Sequence, residues 1–181
     1  MQIISGKFRG RKLARPADAR PTQNRARVAL FNMVMPMVSW DTPRTVWDAF
    51  AGSGAFGIEI LSRIPNAHVI FTDTSANSIA TIRQNVNAVE CGARCDILQT
   101  DAIAATNKYA NCADVIFVDP PYCDANIGAA FVRRVSQMAR PNTILIWEQD
   151  SSQFIAPTND LWEIIRDKQY GRARFLIMKR K

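Results

Sequence analysis

The tetrapeptide with the most specific chemistry in this chain is Asp119-Pro120-Pro121-Tyr122, which directly follows the apolar run Val115-Ile116-Phe117-Val118. Two prolines end a strand rigidly and hold the preceding carbonyls pointing away from it. The Asp119 carboxylate and the Pro120 carbonyl can then each accept a hydrogen bond from one planar amino group. Such a grip draws lone-pair density off the ring and aims it at an incoming methyl. Tyr122 supplies a flat face on which a base can stack. No metal or covalent intermediate is needed if the methyl arrives on a sulfonium, because positioning does most of the work. A strand-ending loop of no chemical consequence would carry the same letters.

A second constellation lies upstream. Gly52-Ser53-Gly54-Ala55-Phe56-Gly57 is a G-x-G-x-x-G run between a strand and a helix, where glycine lets a ligand approach the backbone. A dinucleotide site uses the same spacing, and Asp73, whose carboxylate can accept from two ribose hydroxyls, fits either cofactor. Asp48, just before the turn, suits a cationic sulfonium cofactor with an amino-acid tail and would repel a pyrophosphate; it could also simply cap the turn. Asp101, with Ala102 beside it, can accept from an adenine amino group or cap a helix. Glu148 can face a substrate or the solvent. His68 and the four tryptophans read as structural. Cys91, Cys95, Cys112 and Cys123 make neither a disulfide framework nor a set of four zinc ligands, so no metal is expected.

The elements that must position these residues follow from apolar periodicity. Gln2 to Leu13 reads as a small hairpin or extended arm around Gly6 and Gly10. Thr22 is a candidate N-cap for a helix with Ala26, Leu30, Phe31 and Val34 on one stripe. Strands are expected at 45–50, 69–72, 96–99, 114–118 and 143–147, with helices after the first, second and fourth. Ser75 caps the second of these helices, whose face is Ile79, Ile82, Val86 and Val89. Two closing strands, 161–165 and 174–178, leave no room for a crossover helix and should pair antiparallel. The expected fold class is α/β: a Rossmann-like, mostly parallel sheet with an antiparallel C-terminal edge hairpin. The expected division is a basic hairpin and helix over 1–38, packed on a Rossmann-like domain over 39–181.

Charge is uneven. Residues 1–30 carry eight Lys/Arg against Asp18, and residues 166–181 carry seven against Asp167, whereas 31–165 hold eight basic and fourteen acidic residues. An acidic centre between two basic ends suits a polyanion bound through counterion release, although solvated termini have the same composition. No apolar run reaches membrane-spanning length and no leader-like apolar segment opens the chain, so a cytoplasmic location is expected.

Several stretches together resemble the RsmD-type 16S rRNA guanine-N2 methyltransferases: 3–13 (Ile-Ile-Ser-Gly-Lys-Phe-Arg-Gly-Arg-Lys-Leu), Arg20-Pro21-Thr22 with Arg27 and Leu30-Phe31-Asn32, 48–59 and 115–122, and Tyr170-Gly171 with the final strand. The resemblance spans essentially the whole chain. The two central motifs occur in many amino-methyltransferases, while the basic arm joined to Arg20-Pro21-Thr22 is far more particular. It implies a class I methyltransferase fold, S-adenosylmethionine as cofactor and a guanine of small-subunit rRNA as substrate, presented on an assembling particle. It further implies Asp119 to Tyr122 as catalytic residues and Asp48, Gly52, Gly54, Gly57, Asp73, Asp101 and Ala102 as the cofactor site. Lys7, Arg9, Arg11, Lys12, Arg20 and Arg27 are the implied RNA contacts. The chain departs from the family at Val28, where an acidic residue usually follows the arginine of the N-terminal helix. Two other readings stand beside this one. An N6-adenine methyltransferase would use the same corner, but 181 residues leave little room for a target-recognition domain. An NAD-binding oxidoreductase would use the glycine run and give the corner no task.

Overall fold

The structure is a computed structural model and describes residues 1–16, 24–121, 125–157 and 160–181. Strands β1 (Arg44–Asp48), β2 (Ala67–Asp73), β3 (Cys95–Gln99), β4 (Val115–Val118), β5 (Ile144–Asp150), β6 (Trp162–Tyr170) and β7 (Ala173–Arg180) form one sheet in the order β3-β2-β1-β4-β5-β7-β6. The pairs β1–β2, β2–β3, β1–β4 and β4–β5 are parallel, while β7 runs antiparallel to both β5 and β6. The order of the parallel strands reverses between β1 and β4. In open α/β sheets ligands bind outside the carboxyl ends of the strands at such a reversal.

Alternation along the strands divides the core in two. Val46, Val69, Phe71, Phe117, Ile146, Phe175 and Ile177 face one side, and Trp47, Ile70, Ile116, Val118, Trp147 and Leu176 face the other. Helices α1 (Asn24–Val34), α2 (Ala55–Arg63) and α3 (Ala76–Ala88) carry the first cluster; α4 (Ala102–Tyr109) and α5 (Ala125–Ser136) carry the second. The stripe expected on α1 is buried as read, with Ala26, Leu30, Phe31 and Val34 each at most 2% exposed. Ser75 caps α3 by accepting from the Ser78 amide. Sequence periodicity did not anticipate α4. Its buried residues Ala102, Ala105, Thr106 and Tyr109 are mostly small, so the helix has little apolar contrast.

The N-terminal segment is a docked arm rather than a two-stranded hairpin. An isolated antiparallel bridge joins Gln2 and Lys12, and Ile3, Phe8 and Leu13 are buried in the first cluster. The arm hooks over the last turn of α2. Ile4 and Ser5 amides donate to the two carboxylate oxygens of Glu59 at 2.8 and 2.9 Å, Lys7 N donates to the Ser62 carbonyl, and Phe8 N to the Ser62 hydroxyl. Gly6, at φ +84°, makes this approach possible, because any side chain there would overlap the Ser62 carbonyl. Asn85 of α3 ties the far end of the arm to the glycine turn, donating to the Ala14 and Ser53 carbonyls and accepting from Ala14 N.

Candidate functional site

The glycine turn leaves β1 at Asp48 and enters α2 at Gly54. Gly52 and Gly54 sit at φ +54° and +74°, where a side chain is strained, and the space beside Gly52 is open. Gly57 has a different task, since a β-carbon there would overlap the Phe71 ring, so its absence lets α2 lie against β2. Asp48 is 1% exposed, and its carboxylate accepts from Gly57 N at 3.1 Å. Burial pushes its pKa up to about 7, the Gly57 hydrogen bond opposes this, and the charge of Asp73 adds to it. Asp73 braces the turn, accepting from Gly52 N and Ser75 N, both at 2.8 Å. Asp101 is the N-cap of α4, accepting from Ala104 N at 2.8 Å, with Ala102 buried behind it. The capping reading of Asp101 is therefore realised. A carboxylate offers about four lone-pair sites, so capping does not exhaust it.

Asp119 follows β4 directly. Val118 and Trp147 are register partners, so the next residues along these two strands, Asp119 and Glu148, are neighbours. Loss of hydration raises the Asp119 carboxyl well above the usual carboxylate range, and the charges of Glu148 and then Asp48 add to this. Pro120 is buried and Pro121 is exposed. Together with Trp147, Glu148, Gln149, Asp150 and Gln153, the two prolines line a narrow cleft at the end of β5. Gly128 allows α5 to close on this corner, since a β-carbon there would meet Trp147 Nε1 at 2.8 Å and Pro120 Cγ at 2.9 Å. Tyr122 lies outside the described residues, as do Arg20 and Thr22.

Glu148 does not face the solvent. It does not end its strand, because β5 continues to Asp150, and it is 2% exposed. Asp119 lies within electrostatic reach of both Glu148 and Asp48, which places three carboxyl groups near the carboxyl ends of the interior strands β1, β4 and β5. Such a cluster suits a cationic ligand or an N–H-rich edge and opposes a pyrophosphate. Among the described residues, no group of three or more His, Cys, Asp or Glu is placed to hold a metal ion.

The basic residues divide in two. Lys7, Arg9, Arg11 and Lys12 are exposed on the docked arm, with Arg11 Nη1 donating to the Ala88 carbonyl. Arg27, expected as an RNA contact, is instead 5% exposed. It donates to the Gln2 carbonyl and lies 3.6 Å from the buried Glu59, which also holds Arg63 Nε at 2.8 Å. Its place is that of an internal tie between α1, the arm and α2. The spacing of Arg27, Phe31 and Val34 on one helical face carried that signal. Glu59 and Gly128 were not singled out by the sequence either. An isolated glycine within a helical run was the available hint for Gly128. No helix among the described residues is long and apolar enough to cross a membrane.

Comparison with known proteins adds to this geometry. The family described as Conserved hypothetical protein 95 matches residues 1–179. YlbH of Bacillus subtilis is 31% identical over 187 residues, covering 100% of both chains. The Haemophilus influenzae protein named ribosomal RNA small subunit methyltransferase D is 27% identical over 94% of this chain and 89% of its own. In three dimensions, the solved Escherichia coli protein yhhF superposes with a TM-score of 0.82 at 24% identity, covering 100% of this chain and 98% of that one.

Proposed function

This chain belongs to the Conserved hypothetical protein 95 family, and on that footing we propose that it transfers a methyl group from S-adenosylmethionine to the exocyclic N2 of a guanine in small-subunit ribosomal RNA. The observation that carries this reading is the Asp119-Pro120-Pro121 corner at the carboxyl end of β4, beside the glycine turn of β1. The full-length similarity to a relative named for small-subunit rRNA methylation supports the substrate class.

The residues present fit the cofactor. Asp48 is a buried carboxylate whose own ionisation is held back, so a cationic partner relieves it, and the open side of Gly52 gives access to backbone. Asp48, Gly52 and Gly54 would hold the amino-acid end, Asp73 the ribose hydroxyls, and Asp101 with Ala102 the adenine, while Gly57 serves the site by packing. When bound, the cofactor supplies an electrophilic methyl on a sulfonium. Asp119 and the Pro120 carbonyl each accept one N–H of the target amino group, which fixes its plane and leaves its lone pair directed at the methyl. As the N–C bond forms, the amino nitrogen sheds a proton. Asp119, already hydrogen-bonded to one N–H of that nitrogen, is the proton acceptor nearest to it. Tyr122 stacks the base. Lys7, Arg9, Arg11 and Lys12 draw in the RNA backbone, and the particle in assembly is the form of substrate that presents the guanine.

Incubation with labelled S-adenosylmethionine and immature small-subunit particles, followed by nucleoside analysis, tests this. N2-methylguanine is the expected product. N6-methyladenine would transfer the same corner to the other base, and unlabelled RNA despite confirmed binding of S-adenosylhomocysteine would remove the assignment.

A further inference from the structure

An amino-group grip alone does not tell guanine from adenine. Both bases offer a planar NH2 on a six-membered ring, and Asp119 with the Pro120 carbonyl can hold either. They differ at the adjoining ring nitrogen. Guanine N1 carries a hydrogen and points it alongside the N2 amino group, whereas adenine N1 presents a lone pair. A site that reads guanine therefore needs a second acceptor next to the first.

The sheet register supplies it. Glu148 follows Trp147, the partner of Val118, and so stands beside Asp119 on the adjacent parallel strand. Neighbouring strands are about 4.8 Å apart, a separation across which two carboxylate side chains converge on neighbouring N–H groups. Alternation along β5 turns Glu148 to the same face as Ile144 and Ile146, and the charge of Glu148 acts on Asp119. It also lines the cleft with Pro120 and Pro121 and is 2% exposed, so little water intervenes between this residue and a ligand seated there. Arg27 lies within electrostatic reach of Glu148.

We propose that Glu148 is the specificity-determining residue of this site, its carboxylate accepting the N1–H of the target guanine while Asp119 and the Pro120 carbonyl hold the N2 amino group. An adenine in the same pose meets the carboxylate with its N1 lone pair and is repelled. The inference rests on the guanine-N2 reading above and assigns the choice of base within it.

The test uses the full chain, labelled S-adenosylmethionine and small-subunit particles reconstituted with guanine or 2-aminopurine at the mapped target. 2-Aminopurine keeps the amino group at C2 but has an N1 lone pair. Wild type should favour guanine by about 100-fold in kcat/KM. Glu148→Gln should lose roughly 100-fold on guanine and bring the two substrates within about 3-fold of each other, because its carboxamide can donate to N1. S-Adenosylhomocysteine affinity should match wild type. A Glu148→Gln enzyme that keeps the wild-type preference overturns the proposal, as does one that loses cofactor binding in step with turnover. If that variant fails to fold, wild type alone decides, since equal use of the two substrates overturns the proposal. Absence of guanine labelling by wild type would remove the function itself, a result seen before any variant is made.

Discussion

Asp48→Asn exchanges a carboxylate for an amide of the same shape, which can still accept from Gly57 N. The wild-type carboxyl has its pKa pushed up to about 7, against 3.8 for an ordinary aspartate. Between those two values the folded chain holds a proton that the unfolded chain has released. This group therefore stabilises the fold at low pH, and its contribution is lost as pH rises through 7. From pH 5 to pH 8 the loss is about 2–3 kcal/mol, since each tenfold difference in proton affinity between the folded and unfolded chain is worth about 1.4 kcal/mol. The amide has no such dependence. The stability difference between Asp48→Asn and wild type should thus move in favour of the variant by that amount over the interval, or about 5–10 °C in Tm for a domain of this size. Thermal or urea unfolding of the cofactor-free protein at pH 5, 6, 7 and 8 reads it directly. S-Adenosylhomocysteine affinity at pH 8 should meanwhile fall by about 10-fold or more, since a charge-assisted contact is removed. Parallel stability curves for the two proteins would refute the claim that burial withholds the charge of Asp48 for a cationic ligand.

The remaining predictions concern separable parts of the molecule. Asp119→Asn should abolish most turnover, on the order of 100-fold or more, with S-adenosylhomocysteine affinity by calorimetry within a few-fold of wild type. Arg9→Ala with Arg11→Ala should weaken RNA binding and reduce the slope of log K against log salt by about 1.4–1.8, leaving cofactor affinity unchanged. Glu59→Gln should destabilise the chain by about 3–5 kcal/mol, because buried Arg27 and half-buried Arg63 lose their counter-charge. Limited proteolysis should then cut first within residues 1–16.

The parallel strands were legible because they are short apolar runs ending at Asp48, Asp73 and Val118, and buried strands leave that signature. What escaped was structure whose stabilising partner is remote in sequence. The polar end of β5, Glu148-Gln149-Asp150, is buried because β7 continues beside it, pairing these residues with Phe175, Arg174 and Ala173. Strand β6 runs to Tyr170 through Arg166, Asp167 and Lys168, exposed edge residues that an apolar pattern cannot mark. That Asp119-Pro120-Pro121 and the glycine turn each follow a parallel strand was also readable. The neighbour relation of Asp119 and Glu148, and the inward turn of Arg27, required the sheet register and the Glu59 clamp.

The hook of the arm over α2 also orders events during synthesis. Phe8 leaves the ribosome 54 residues before Ser62, the group that fixes it. Until α2 has emerged, Gly6 has no carbonyl to nestle against and the arm's cations have no fixed spacing. Because chains fold from the N-terminus as they are made, the earliest basic residues emerge as a loose tether. They become a rigid surface only once the glycine turn and α2 exist. A ribosome-borne nascent chain surrounded by ribosomal RNA thus acquires its shaped cationic face no earlier than its cofactor turn.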